Sequence, residues 1–296
     1  MDATLQKHRR TDVELLRIIA AFLIVYFHGQ GIIPAHWAYA GLTVFLIFMG
    51  YYACVGRPKS ILTTAQRLLI PYVVWFIFYF VLRSLLDKPI FREHDNLLTF
   101  ALSSPSIHLW FLPFAFICIS LLHYLRRAVP ALVLGSAAVS VATVLILAVP
   151  LWKGFGISTP FIQWVHALAP VLIGVGIAQL QTQRPVYRGL ALLSVIAALI
   201  IATLCGEGRT AIGYVLGIAL CSVLFARESL IRPNRLVDTV APTTMGIYLV
   251  HPAALVTLYW LGLRADANVV VGFLVSAAGV WLVQKVMPPA VTRLLF

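Results

Sequence analysis

Charge is scarce in this chain: only 11% of its 296 residues are Asp, Glu, Lys or Arg, and the acids number 10. Soluble domains carry roughly 25% charged residues, so a water-soluble domain of this size is excluded. Cysteine is sparse as well. Cys54, Cys118, Cys205 and Cys221 fall within or at the edges of apolar segments and show no C-x-x-C spacing, so neither a disulfide framework nor a thiolate zinc site is supported. Metal-ligand spacing is absent elsewhere too, and a metal-assisted reaction is not expected. The net charge of +12 would suit nucleic acid, but Lys and Arg are scattered between apolar runs without forming a stripe. A nucleic-acid partner is therefore not expected, and no internal repeat is visible.

What the chain has in abundance is apolar sequence: 61% of residues are hydrophobic and the mean hydropathy is +0.95. Segments of about 17–25 mostly apolar residues recur along the whole length, each long enough to cross a hydrocarbon core as a helix. The expected fold class is all-α, a polytopic membrane protein with about ten transmembrane helices over 15–33, 38–55, 67–86, 108–125, 131–149, 161–180, 188–205, 211–226, 238–260 and 269–287. Residues 1–296 read as one membrane domain whose first partner is the lipid bilayer. Lys7, Arg9 and Arg10 precede a long first apolar stretch, and further spans follow, which predicts a retained helix rather than a cleaved signal.

An even number of crossings places both termini on one side. With the N-terminus cytoplasmic, the inside segments hold 16 of the 22 basic residues, among them Lys7, Arg9, Arg10, Arg17, Arg57, Lys59, Arg67, Arg126 and Arg227. The outside keeps six, Arg83, Lys88, Arg92, Lys153, Arg209 and Arg264, as the positive-inside rule predicts. The longest outside loop, Leu86 to Ile107, contains Arg92, Glu93, His94 and Asp95, a set that suits a solvated linker or a polar partner. Gly213 and Gly217 form a small-xxx-small pair, which marks close helix packing.

Two ionisable residues stand out in the first span. Arg17 and His28 are eleven residues apart, about 1,100° of helical rotation, so they share one face with about 16 Å between them along the axis. Arg17 then sits at the cytoplasmic mouth, and His28 lies in the outer half of the bilayer, where an ionisable group is costly unless it faces a cavity or a partner. Imidazole titrates near neutral pH, which suits His28 as a general base; the alternative is an imidazole hydrogen-bonded to another helix. His108 with Trp110, His166 and Glu207 enter the same outer half. Glu207 either orients His28 or is a loop carboxylate paired with Arg209, and His108 and Trp110 suit either a site or an interfacial anchor. On the inner side Arg57, Lys59 and Arg67 cluster between the second and third spans, matching either a nucleotide phosphate or ordinary positive-inside charge.

Several stretches in order resemble the membrane acyltransferase 3 family. Glu14-Leu-Leu-Arg17-Ile-Ile-Ala20 with His28 is similar to its opening Arg-x10-His signature, and Phe45-Leu-Ile-Phe-Met-Gly50-Tyr51 to its second-helix motif, with Met49 where serine is common. Arg67-Leu-Leu-Ile-Pro71-Tyr72 resembles the basic entry to helix three, although Thr63, Thr64 and Gln66 stand where the family usually has more arginine. His108-Leu-Trp-Phe-Leu-Pro113 and Met245-Gly-Ile-Tyr-Leu-Val-His251-Pro252 are close to the fourth-helix and late-helix signatures.

The resemblance implies an enzyme of the bacterial inner membrane that moves an acyl group, usually acetyl, from cytoplasmic acetyl-CoA or another acyl-CoA to a hydroxyl of a glycan, often lipid-linked. The compact form is most similar to O-acetyltransferases of bacterial surface polysaccharides such as enterobacterial common antigen. It also implies CoA-phosphate binding by Arg17 and Arg67, with Arg57 nearby, and proton abstraction by His28. Tyr248 and His251, one helical turn apart, join His108 and Trp110 as candidates for the acceptor side or as a packing and interfacial pair. A flippase for a lipid-linked sugar would use the same cavity without bond chemistry, and an acyltransferase with a peptide or small-molecule acceptor is a further alternative.

Overall fold

Proline, glycine and short polar side chains divide the apolar sequence into helices. The computed structural model describes residues 10–29, 31–91, 96–103, 105–226, 229 and 231–296; Lys7, Arg9, Arg92, Glu93, His94, Asp95 and Arg227 lie outside them. The helices are α1 (Thr11–Gly29), α2 (Ala35–Ala38), α3 (Ala40–Val55), α4 (Ile61–Leu85), α5 (Leu97–Ser103), α6 (Phe111–Ala128), α7 (Ala131–Leu147) and α8 (Val149–Gly154). They continue with α9 (Phe161–Leu180), α10 (Pro185–Ala202), α11 (Gly208–Ala226), α12 (Arg235–Val240), α13 (Thr244–Trp260), α14 (Ala265–Val286) and α15 (Pro289–Leu295). Short 3-10 turns at Ile107–Trp110 and Ala241–Thr243 lead into α6 and α13. No strand forms among the described residues.

Local chemistry explains where these helices start and stop. Ser60 caps α4 by accepting from the Thr63 N–H at 3.1 Å, and Asn234 caps α12 through the Leu236 N–H at 2.8 Å. Pro130 stands immediately before α7, and Pro185 opens α10, a position where a missing N–H has no cost. Arg126 closes α3 by donating one guanidinium nitrogen to the carbonyls of Ala53, Cys54 and Gly56 at 2.9–3.0 Å, which satisfies groups the helix end leaves free.

Among the described residues, seven helical stretches are long and apolar enough to cross a membrane: 35–55, 61–85, 107–128, 161–180, 185–225, 235–260 and 265–286. The ten expected segments all coincide with helices, and the smaller number has three physical causes. First, α1 carries Asp12, Glu14 and Arg17 in its opening turns; second, α7 is only 17 residues long. Third, the 41-residue stretch 185–225 holds two expected spans. It folds back at a π-type turn, Thr203–Glu207, where Gly206 has φ 90°, a conformation that glycine reaches without steric cost. Leu192 and Ser222 consequently line one crevice. The chain is thus an all-α, multi-pass membrane protein.

Burial separates central from peripheral helices. Half of the most apolar window is buried in 35–55, 107–128 and 161–180, against 22% in 61–85, 185–225 and 265–286. The peripheral helices leave Val73, Ile77, Leu193 and Leu274 exposed, as a lipid-facing surface requires. At the centre α3 and α9 meet backbone to backbone. A Cβ at Gly50 would run into the Val171 carbonyl, and one at Gly174 into the Ile47 carbonyl, so glycine is needed on both sides of the contact. The Gly213 and Gly217 pair also packs closely, against Tyr39 and Thr43. Across α3, α1 stands between it and the pair α13 and α14.

Candidate active site

The face of α1 that carries Arg17 and His28 opens into two cavities. A basic cavity of about 840 Å³ is lined by Arg10, Glu14, Arg17, Lys59 and Arg67. A second cavity of about 500 Å³ is lined by His28, His108, Trp110, Lys153, Gln163 and His166. Both volumes are ample for a small-molecule site. Ile24, Leu42 and Tyr248 line both, so these three side chains form the wall between them. Ile24 lies seven residues after Arg17 and four before His28, on the same helical face, and it interrupts the polar stripe with an apolar plug.

Three imidazoles meet around the end of that stripe. The His28 ring is exposed to the second cavity and has no hydrogen-bond partner among the described residues; it lies 5.1 Å from the His251 ring, which lies 5.4 Å from His108. Pro252 explains how His251 is held. A proline cannot donate to the carbonyl four residues earlier, so the Tyr248 carbonyl is left free. His251 Nδ1 fills that vacancy at 2.8 Å and must carry the hydrogen, since a carbonyl only accepts. Its Nε2 is then a lone pair, fully buried and without a partner among the described residues. His108 is fixed through Nδ1, 2.8 Å from the Ser106 hydroxyl, and its Nε2 is likewise unpartnered among the described residues. The Tyr248 hydroxyl donates to the His108 carbonyl, and Tyr79 caps the Leu249 carbonyl at 2.7 Å.

The opposite wall repeats the device. Pro170 lies four residues after His166, and the carbonyl it frees accepts from the Tyr214 hydroxyl at 2.7 Å. The Tyr39 and Tyr214 hydroxyls lie 2.7 and 2.9 Å from His166 Nδ1, so both hold that ring in place. Tyr39, Lys153 and Gln163 were not singled out by the sequence; the spacing His166-x3-Pro170 is the signal that marks this wall. Gln163 Oε1 is buried and unpartnered among the described residues.

At the basic cavity Arg17 donates to Glu14 at 2.7 Å and to the Thr244 hydroxyl at 3.0 Å, at the start of α13. Its remaining N–H donors are available to a ligand, because a guanidinium has five. Arg10 pairs with Asp12 at 2.8 Å, and that hydrogen bond raises the Arg10 pKa further above its ordinary value, so its charge is permanent. Arg67, on the second turn of α4, and Lys59, in the preceding loop, face the same space.

Two predicted residues lie elsewhere. Arg57 is exposed and lines neither cavity. Glu207 pairs with Lys153 at 2.5 Å and with Thr210 at 3.1 Å rather than with Arg209, and it makes no contact with His28. The carboxylate therefore sits against Lys153 at the rim of the second cavity, where the π-type turn packs on α8.

Among the described residues, no group of three or more His, Cys, Asp or Glu is placed to hold a metal ion. Residues 10–284 match the acyltransferase domain family. No curated protein and no solved structure matches the chain. The match spans the Arg17–His28 stripe, both cavities and the wall between them, and by it the chain belongs to the membrane acyltransferase 3 family.

Proposed function

We propose that this membrane acyltransferase carries an acetyl or other short acyl group from cytoplasmic acyl-CoA to a hydroxyl of a surface or lipid-linked glycan, across the inner membrane of a bacterium. One observation carries the proposal. A single helix, α1, presents a guanidinium to a basic cavity and, about 16 Å along its axis, an imidazole with no hydrogen-bond partner among the described residues to a separate, histidine-lined cavity. Both chain termini lie on the cytoplasmic side in this reading, at the end marked by Arg17.

CoA is a polyanion, and Arg17, Arg67, Lys59 and Arg10 offer its phosphates forked and point charges at the cytoplasmic mouth. The pantetheine arm then lies along the apolar part of the same cavity, beside Phe45, Phe48 and Met49. The acceptor enters the second cavity, where Trp110 supplies an apolar face and His108, Gln163 and His166 supply hydrogen-bonding groups suited to a sugar.

His28 removes the proton of the acceptor hydroxyl as its oxygen attacks the thioester carbonyl. The new C–O bond replaces the C–S bond, the sulfur leaves as thiolate, and the imidazolium returns its proton to give CoA-SH and neutral His28. His251 stands behind His28 as a neutral acceptor, which stabilises the protonated ring without adding a buried charge of its own.

The test is a reconstituted assay with acetyl-CoA and a lipid-linked saccharide. Expected are acetyl ester formation by the wild-type protein and its loss in His28→Ala at unchanged abundance. Full activity of the variant would remove His28 as the base, and saccharide movement without dependence on acyl-CoA would point instead to a flippase.

A further inference from the structure

The wall between the cavities has its own chemistry. Ile24 of α1, Leu42 of α3 and Tyr248 of α13 each face both spaces, and no charged side chain is shared. Tyr248 is tethered at both ends: its hydroxyl donates to the His108 carbonyl, and its own carbonyl accepts from His251 Nδ1. Ile24 is buried and Leu42 half-buried, so the wall is close-packed on the Ile24 side and yields more readily at Leu42.

We infer that Ile24, Leu42 and Tyr248 form a selectivity septum that the acyl head of the donor must part, and that its width decides which acyl groups reach His28. This rests on the acyl-transfer reading above. An acyl-CoA entering from the basic cavity leads with its acyl group, and His28 lines the far cavity one helical turn beyond Ile24 of the shared wall. Linear acyl chains have nearly the same cross-section whatever their length, so the septum selects on branching rather than on length. Once the thioester sits in the gap, the same side chains close around the sulfur and keep the acceptor cavity from exchanging water with the cytoplasmic side. A loosened septum admits water to the thioester, which yields a carboxylic acid and CoA-SH without an acceptor.

The experiment compares acetyl-, butyryl- and isobutyryl-CoA as donors to the same saccharide, with CoA binding and acceptor-free CoA release measured alongside. Leu42→Ala is expected to raise the isobutyryl-to-acetyl ratio of kcat/KM by about tenfold or more, the scale on which a pocket reads one methyl group, while the butyryl-to-acetyl ratio stays level. Leu42→Phe is expected to abolish transfer from isobutyryl-CoA with CoA binding retained, and Tyr248→Phe to raise acceptor-free CoA release. Ile24→Val serves as a second widening variant that removes one methyl group and preserves the helix. Unchanged donor ratios in both widened variants, with transfer intact, would overturn the septum and leave the acyltransferase reading standing. Failure of the wild-type protein to transfer from any acyl-CoA would overturn both.

Discussion

The two cavities on either side of Ile24 solve the problem of polarity in a membrane in opposite ways. The basic cavity uses permanent charge at a helix mouth, where long side chains reach water and anchoring costs little. The histidine cavity, at the other end of α1, has no Lys, Arg, Asp or Glu in its lining apart from Lys153, which pairs with Glu207, and backbone carbonyls hold His251 and the Tyr248 and Tyr214 hydroxyls around it. In the proposed function, charge binds at one end and a proton moves at the other. The contrast teaches that location in the bilayer selects the residue types and that each type selects its task.

Substitutions can test this division directly. The largest effect is expected from His28→Ala, a loss of about 10²–10⁴-fold in kcat, the range for a general base, with affinity for acyl-CoA unchanged in direct binding measurements. If that affinity fell instead, the separation of tasks would collapse. Arg17→Ala is expected to act on the other term: loss of a charged hydrogen-bonding group costs about 1.5–3 kcal/mol, equal to about 10- to 150-fold in KM for acyl-CoA. Arg17→Lys keeps the charge but loses the fork, and its KM should fall between those of Arg17→Ala and the wild-type protein, with kcat unchanged.

Tyr214→Phe should test the backbone side of the histidine cavity. It leaves the His166 carbonyl without a donor and should cost about 1–3 kcal/mol, read as a lower midpoint of thermal unfolding in detergent. The smallest effect is expected for Arg57→Ala, less than about 0.5 kcal/mol in stability and no measurable change in KM, because the side chain is exposed and outside both cavities. A change as large as that of Arg67→Ala would enlarge the basic site beyond the cavity described.

The helices and the Arg17–His28 stripe were legible because both follow from local spacing: apolar run length for the first and helical rotation for the second. His108 and His251 were recognisable as candidates through their motifs, but their meeting with His28 depends on the packing of α1 against α13, which no local pattern encodes. Glu207 shows the limit most plainly. Its partner is 54 residues away on a six-residue helix, and a turn with Gly206 at positive φ aims the carboxylate there. Arg57 and Arg67 look equivalent as charges between two spans; only the helical start at Ile61 carries one of them into the cavity. The proline four residues after His166 was readable in principle, since the loss of its N–H is a property of the residue itself.

The paired glycines of α3 and α9 bear on the proposed septum. Main chains that touch at Gly50 and Gly174 have no side-chain cushion to compress, so the backbone of α3 stands as a doorpost. What gives way is then the half-buried Leu42 side chain on that post, while Ile24 is packed in and Tyr248 is tied at both ends. Adding a methyl group at Gly50 would wedge the post itself out of line and jam the passage for every donor alike.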